Sequence, residues 1–281
     1  MVKNLPSFRA ESIPWEFSKN SNQISLKPRR NETRKLKSKK LNKKYEYVCI
    51  MIKFIYSLLY ISSSVEPFKP KPTPYQFDPR IHSFGNVGPG GVVHSLFARP
   101  FTKIIDIAAY DNVNIRDKLI NDIDIDKPKN IADFGCGTGT STESIKKRFN
   151  DAIIYGVDSS KEMLRVANLF TKGINYVEEN IENIMFANKQ DLITTMYVFH
   201  EVPQDGRLNI LENMKKNLKE DGQALIVDID TSYKPSKMMQ HGEPFIHDYM
   251  VNIDKDILSV FPKTETWIEI QNHVRVWNAR M

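Results

Sequence analysis

With 281 residues, 41% of them hydrophobic and 26% charged, the chain has the composition of a globular protein and room for one large domain or two small ones. Two cysteines, Cys49 and Cys136, are too few for a disulfide framework and match no zinc spacing, so the expected setting is a reducing compartment and no metal is expected. The net charge of +6 is local: Lys27 to Lys44 carries ten Lys or Arg against the single acid Glu32, a balance of +9 that leaves the remainder at −3 and excludes a generally basic domain.

Residues 1–47 therefore read as a disordered basic tail, since Pro28, Asn31 and Ser38 stand among charges with almost nothing apolar to bury. Such a tail suits plain solvation, a contact with RNA or an anionic membrane, or a sorting signal. Residues 48–65 form an apolar segment. Within it "MIKFIYSLLYISSSV", from Met51, has the layout of a secretory or organelle-import signal, and translation from Met51 would put that signal at the N-terminus. Residues 48–61 are the candidate for membrane association, although Lys53 interrupts a run shorter than the ~20 residues of a spanning helix. A short helix packed on the domain is the plainer alternative. An intracellular location, with an organelle or endomembrane signal starting at Met51, is the expectation.

Residues 66–79 contain Pro67, Pro70, Pro72, Pro74 and Pro79 and read as an extended linker, with folded structure beginning after it. Residues 80–108 hold Gly85, Gly88, Gly90 and Gly91 among Arg80, His82, Asn86 and His94, which suggests a loop closing over a ligand as a cap or lid, with an ordinary surface loop as the equal alternative. From 109 to 281 short β-branched runs (Asn130 to Phe134, Ala152 to Val157, Ile174 to Val177, Asp191 to Tyr197, Gln223 to Asp228) alternate with helical stretches such as Ser160 to Thr171 and Asp205 to Leu218. That alternation predicts βαβ units and an α/β, doubly wound, mostly parallel sheet. Glu265 to Ile270 and Val274 to Ala279, around a turn at Gln271 to His273, predict a closing antiparallel hairpin.

"NIADFGCGTGTST", Asn130 to Thr142, follows the first strand and precedes a helix, the position at which open α/β sheets bind ligands. Bare backbone at Gly135, Gly137 and Gly139 allows a tight turn and close approach of a ligand. A dinucleotide fingerprint would require glycine at Thr140, and Asp133 aims a carboxylate toward the place where a pyrophosphate would sit, so a cation is expected there instead.

The D-x-G-x-G-x-G arrangement resembles motif I of the class I S-adenosylmethionine-dependent methyltransferases. The likeness continues through "YGVDSS", with Asp158 twenty-three residues after Gly135, "EENIEN" after the third strand, "TTMYVFHEVP" at the fourth, and "LKEDGQALIVD" before the fifth. These last features resemble the small-molecule branch known as methyltransferase type 11. The approach to strand five departs from that branch's Leu-Lys-Pro-Gly-Gly at Glu220, Asp221 and Gln223, while Gly222 keeps the turn.

The resemblance implies a Rossmann-like seven-stranded fold, S-adenosyl-L-methionine as cofactor, and a cofactor site of Asp133, Gly135, Cys136, Gly137, Thr138, Gly139, Asp158, Ser159, Met163, Asn180, Ile181, Met196 and Tyr197. In that family the acid at Asp158 accepts from both ribose hydroxyls, and Asn180 and Ile181 fall where the adenine binds. Asp158 could equally cap the helix near Ser160, Asn180 could be an ordinary turn residue, and Cys136 reads as a small filler rather than a nucleophile. Should the acceptor need to lose a proton, His200 and Glu201 at the end of strand four are the candidate bases, followed by His82, His94 and Tyr110; a structural His200 is an equal alternative.

Strand four lacks the Asn-Pro-Pro-Tyr or Asp-Pro-Pro-Tyr motif of amino-group methylation, and the domain itself is mildly acidic. A small-molecule or lipid-like acceptor is expected, and no nucleic-acid partner. The alternatives are an RNA or protein methyltransferase using the basic tail, a non-catalytic cofactor-binding partner subunit, and, behind these, a NAD-dependent oxidoreductase.

Overall fold

The computed structural model describes residues 74–78, 80–83 and 85–281, all within one compact unit. The basic tail 1–47, the apolar segment 48–65 with the signal at Met51, and the first part of the proline-rich stretch lie outside the described residues. Among the described residues no helix is long and apolar enough to cross a membrane.

A seven-stranded sheet organises the unit. Its strands are β1 (Asn130–Phe134), β2 (Ile153–Asp158), β3 (Asn175–Glu178), β4 (Gln190–Met196), β5 (Leu218–Ile229), β6 (Lys263–Ile270) and β7 (Val274–Arg280), in the order β3-β2-β1-β4-β5-β7-β6. The first five run parallel; β7 is antiparallel to both β5 and β6, with Ile226 opposite Trp277. The α/β reading and the closing hairpin are what the structure contains. Predicted strand ends lie within two residues of the observed ones, and β1 coincides, except that β5 starts at Leu218, earlier than Gln223. There Gly222 occupies a register shift against Gln190 and Leu192, and an added Cβ would stand 3.0 Å from the Gln190 carbonyl.

The β-branched runs pack as strands because alternate side chains serve two cores. Ala132, Phe134, Ile193, Ala224, Ile226 and Trp277 face one layer, which includes Ile210 and Met214 of α5 (Gln204–Asn217) and Ile253 and Ile257 of α7 (Ile246–Val260). Ile131, Ile154, Leu192, Leu225, Val227 and Val276 face the other, with Leu119 and Ile120 of α2 (Ile115–Asp122) and Ile145 of α3 (Thr140–Arg148). The other helices are α1 (Gly88–Ala109), which precedes these, and α4 (Lys161–Phe170) and α6 (Lys237–Gly242). Polar residues set several helix starts: Asn114 accepts from the amides of Arg116 and Asp117, and Ser160 from that of Met163.

Two expectations for the N-terminal part require correction. The glycine-rich stretch is a loop only as far as Val87; from Gly88 it is the 22-residue helix α1, begun by Pro89 in the first turn, where a missing N–H costs nothing. The proline-rich stretch is not linker to its end either. Tyr75–Phe77 forms a 3-10 turn, with Tyr75 Oη donating to Glu182 at 2.7 Å and Gln76 Nε2 donating to the same oxygen at 2.9 Å.

Candidate active site

After β1 the chain runs out to β2 and β3, then returns to β4 on the other side. The loops at the carboxyl ends of β1 and β4 therefore part and leave a crevice. A cavity of about 220 Å³, open to solvent, occupies it, lined by the segments that follow β1, β2, β3 and β4.

The glycine loop forms one wall. The amides of Gly135 and Cys136 both donate to the Val157 carbonyl, tying the loop to β2. Gly135 has φ +67, and a Cβ there would fall 2.5 Å from a Val198 methyl, so only glycine fits. Gly137 also has positive φ, +50, but its missing Cβ would meet nothing within 4 Å, leaving bare backbone toward the cavity. Its amide donates to Asp158 Oδ2 at 2.8 Å, while Asp158 Oδ1 accepts from the Ser160 amide at 2.8 Å. Each carboxylate oxygen therefore keeps a lone pair for a ligand hydroxyl. Burial raises the Asp158 pKa to about 6 against the lowering effect of those two amides. Helix capping falls to Ser160, and Asp158 supports that turn while lining the cavity.

Of the expected cofactor residues, Gly135, Cys136, Gly137, Thr138, Asp158, Ser159, Met163, Asn180, Ile181, Met196 and Tyr197 line this cavity together. Asp133 and Gly139 do not. The Asp133 carboxylate is fully buried and accepts from Ser141 (2.6 Å), Thr142 (2.6 Å) and Thr194 (2.7 Å); it braces the loop from beneath instead of presenting charge to a ligand cation. Gly139 is the left-handed N-cap of α3. Asn180 reaches the cavity with its amide engaged, its oxygen accepting from the Glu182 amide and its nitrogen donating to Glu182 Oε1. Cys136 is a buried thiol whose pKa burial raises further, which suits a small filler.

The candidate bases separate. Glu201 and His94 line the cavity, whereas His200 and Tyr110 do not. His200 is buried, with Nδ1 2.6 Å from Asp228 Oδ1. Burial opposes its imidazolium, but the charge and hydrogen bond of Asp228, together with the charges of Glu243 and Glu201, outweigh it and lift the pKa to about 9, so it is a cation with a structural partner. Tyr110 caps α1 and lies edge-on to His273, its ring centroid 6.3 Å away. His94 has Nδ1 3.0 Å from Asn86 Oδ1, and burial, then the neighbouring His82, lower its pKa to about 4. It is a neutral imidazole. Glu201 is the opposite case: burial would raise it, yet His82 and His200 bring it down to about 2 and keep it ionised.

Sequence reasoning missed Tyr75, Gln76 and Arg116 on the wall. Arg116 lies in the first turn of α2, its guanidinium 4.8 Å from the Tyr197 ring centroid and 3.9 Å from Asp106 Oδ1. A lone arginine just after the Asn114 cap carries no spacing signal; only the packing of α2 beside β4 brings it to the cavity. Tyr75 and Gln76 were hidden by the prolines around them.

The sequence profile of the methyltransferase domain family matches residues 131–222. A trans-aconitate 2-methyltransferase of Rhodopseudomonas palustris BisB18 is 31% identical over 175 residues, which cover 56% of this chain and 66% of that protein. Residues 131–222 thus carry a methyltransferase domain, and the chain is similar over that region to class I S-adenosylmethionine-dependent methyltransferases. The trans-aconitate 2-methyltransferase of Rhodopseudomonas palustris BisA53 is 35% identical over 100 residues, 36% of this chain and 37% of its own length. The chain thus spans less than two thirds of either of these curated relatives. Its fold is shared by the crystal structure of a candidate O-methyltransferase from Nostoc punctiforme PCC 73102, with a TM-score of 0.53 and 13% identity, over 69% of this chain and 61% of that one.

Proposed function

We propose that the protein transfers a methyl group from S-adenosylmethionine to a small-molecule acceptor. The observation that carries this reading is the Asp158 carboxylate, on the cavity wall beside the bare backbone of Gly137, with each oxygen engaged by only one amide. A vicinal diol offers the two donors that such a carboxylate can still accept, and charge-assisted hydrogen bonds of this kind contribute about 1.5–3 kcal/mol.

The remaining lining fits the other parts of that cofactor. Met163 and Ile181 supply apolar walls for a purine, and the Arg116 guanidinium is the cavity cation suited to an amino-acid carboxylate. When bound, S-adenosylmethionine supplies a methyl group already activated on a sulfonium. The chain's own task is then to orient the acceptor and keep water out. Tyr197, Val198 and Val202 give apolar surface beside the loop, and Glu201 offers a fixed anion to a hydrogen-bond donor on the acceptor. His94, neutral and donating through Nδ1 to Asn86, leaves Nε2 free to take a proton from a hydroxyl acceptor.

The relatives named for trans-aconitate support a small-molecule acceptor and make trans-aconitate the first probe. Incubating the full chain with methyl-labelled S-adenosylmethionine, first with trans-aconitate and then with fractionated cell extract, is expected to put label into a low-mass fraction. Label confined to RNA or protein would overturn the acceptor class. Calorimetry showing uptake of NAD, with none of S-adenosylhomocysteine, would overturn the cofactor.

A further inference from the structure

The described residues between 75 and 87 put Tyr75, Gln76, Ile81, His82 and Asn86 on the cavity and include two short 3-10 turns, and side chains hold them at three places. At one end are the Tyr75 and Gln76 bonds to Glu182. At the other, the Asn86 carbonyl accepts from Ser160 Oγ at 2.5 Å, while Asn86 Oδ1 meets His94. His82 stands between them with φ +50, a left-handed conformation that non-glycine residues keep only where their surroundings hold it. Its Nε2 lies 2.8 Å from Glu201 Oε1 and its Nδ1 2.9 Å from Glu243 Oε1. Glu201 ends the 3-10 turn after β4, and Glu243 is the C-cap of α6. A single imidazole thus joins three segments that are distant in sequence.

We propose that His82 is the positioning residue that fastens residues 80–87 along the acceptor side of the cavity, as an imidazolium bridging Glu201 and Glu243. Only the doubly protonated ring has a donor for each carboxylate. The bridge continues inward: His200 Nε2 is 3.9 Å from Glu201 Oε1, and His200 Nδ1 meets Asp228. Asp228, His200, Glu201, His82 and Glu243 thereby alternate in charge from β5 to α6. Removing one member leaves a buried charge without its partner, which makes the set cooperative.

A divalent cation is the competing explanation, since one ligand atom from each of His82, Glu201 and Glu243 lies within 4.8 Å of the others. The two carboxylates, however, sit on different ring nitrogens. A cation on either nitrogen would leave the other carboxylate to a plain N–H, so the geometry favours the proton-mediated bridge.

The proposal rests on the reading of the cavity as a cofactor site in one arm of its test only. In the first arm, hydrogen exchange of the full chain without ligand compares His82→Leu, His82→Gln and Glu243→Gln with the parent, after circular dichroism has confirmed folding. His82→Leu and Glu243→Gln are expected to speed exchange across residues 80–87 roughly tenfold, with His82→Gln, which keeps one donor, in between. In the second arm, labelled S-adenosylhomocysteine is chased with unlabelled compound, and its residence time is expected to shorten in the same order.

The parent's residence time should also shorten as pH rises far enough to deprotonate His82, which Glu201 and Glu243 hold cationic well above its ordinary range against burial, with neutral His94 as the remaining ionisable neighbour. His200 contributes its own loss near pH 9, so the share belonging to His82 is the part that vanishes in His82→Gln. Unchanged exchange in both His82→Leu and Glu243→Gln would overturn the fastening. So would stoichiometric binding of Mn²⁺ or Zn²⁺ by the parent that is lost in His82→Leu. Failure of every form to take up S-adenosylhomocysteine would overturn the cofactor reading, and the exchange arm would still decide the role of His82.

Discussion

The glycine loop and the His82 bridge border the same cavity but are held by different forces. The loop is a matter of backbone: left-handed glycines, amides donating to Val157 and Asp158, and the triple-hydroxyl cradle around Asp133, nearly all from residues 133 to 160. The bridge is a matter of charge, assembled from residues 82, 200, 201, 228 and 243. Backbone geometry is set as soon as β1, β2 and α3 pack. A partly buried ionic chain forms only when every partner has arrived, and protons control it thereafter. One wall should accordingly respond to sterics and the other to pH.

The difference can be broken most severely at Gly135. Gly135→Val would push side-chain atoms into Val198 and force a β-branched residue into positive φ, and S-adenosylhomocysteine affinity measured by calorimetry should fall by more than ~100-fold. Asp158→Asn comes next: with one strong acceptor gone, affinity should drop roughly 10- to 100-fold, the equivalent of about 1.5–3 kcal/mol. The same carboxylate predicts a pH profile. Its ionised form accepts from the diol and its pKa is about 6, so affinity should be full above that value and decline as pH falls through it, with a flat profile in Asp158→Asn.

Glu201→Gln tests the other wall. It removes the anion between two imidazoliums while sparing the loop, so kcat for methyl transfer should drop roughly tenfold or more and the residence time of S-adenosylhomocysteine should shorten as in His82→Leu. The smallest effect belongs to Tyr75→Phe, which removes one hydrogen bond to Glu182 and should lower unfolding stability in urea by about 1 kcal/mol.

How much of this was legible in the sequence follows the same division. β1, the glycine loop and Asp158 could be read in advance because the spacing is itself the structure: a strand of fixed length, a turn only glycine can make, and an acid at the end of the next strand. Asp133 was read as a residue but not as a role. Nothing in the string shows that Ser141, Thr142 and Thr194 converge on it and turn it inward. His200 and Glu201, adjacent in sequence, end in opposite situations, one behind the wall and protonated, the other on it and ionised, because Asp228 and His82 reach them from other elements. The glycines at 88, 90 and 91 suggested a loop, yet helix α1 tolerates them; Gly91 is needed because the Asn86 carbonyl would lie 2.5 Å from a Cβ there.

The position of β7 has a consequence for how the protein is made. The strand nearest the C-terminus is not at the rim: it lies between β5 and β6, with Trp277 and Ala279 in one core and Val274 and Val276 in the other. A nascent chain still on the ribosome must therefore hold β5 with a bare edge and β6 without a neighbour until residue 280 has emerged. Closure of the sheet waits for that strand, and the half-built edge is where a chaperone would find its grip.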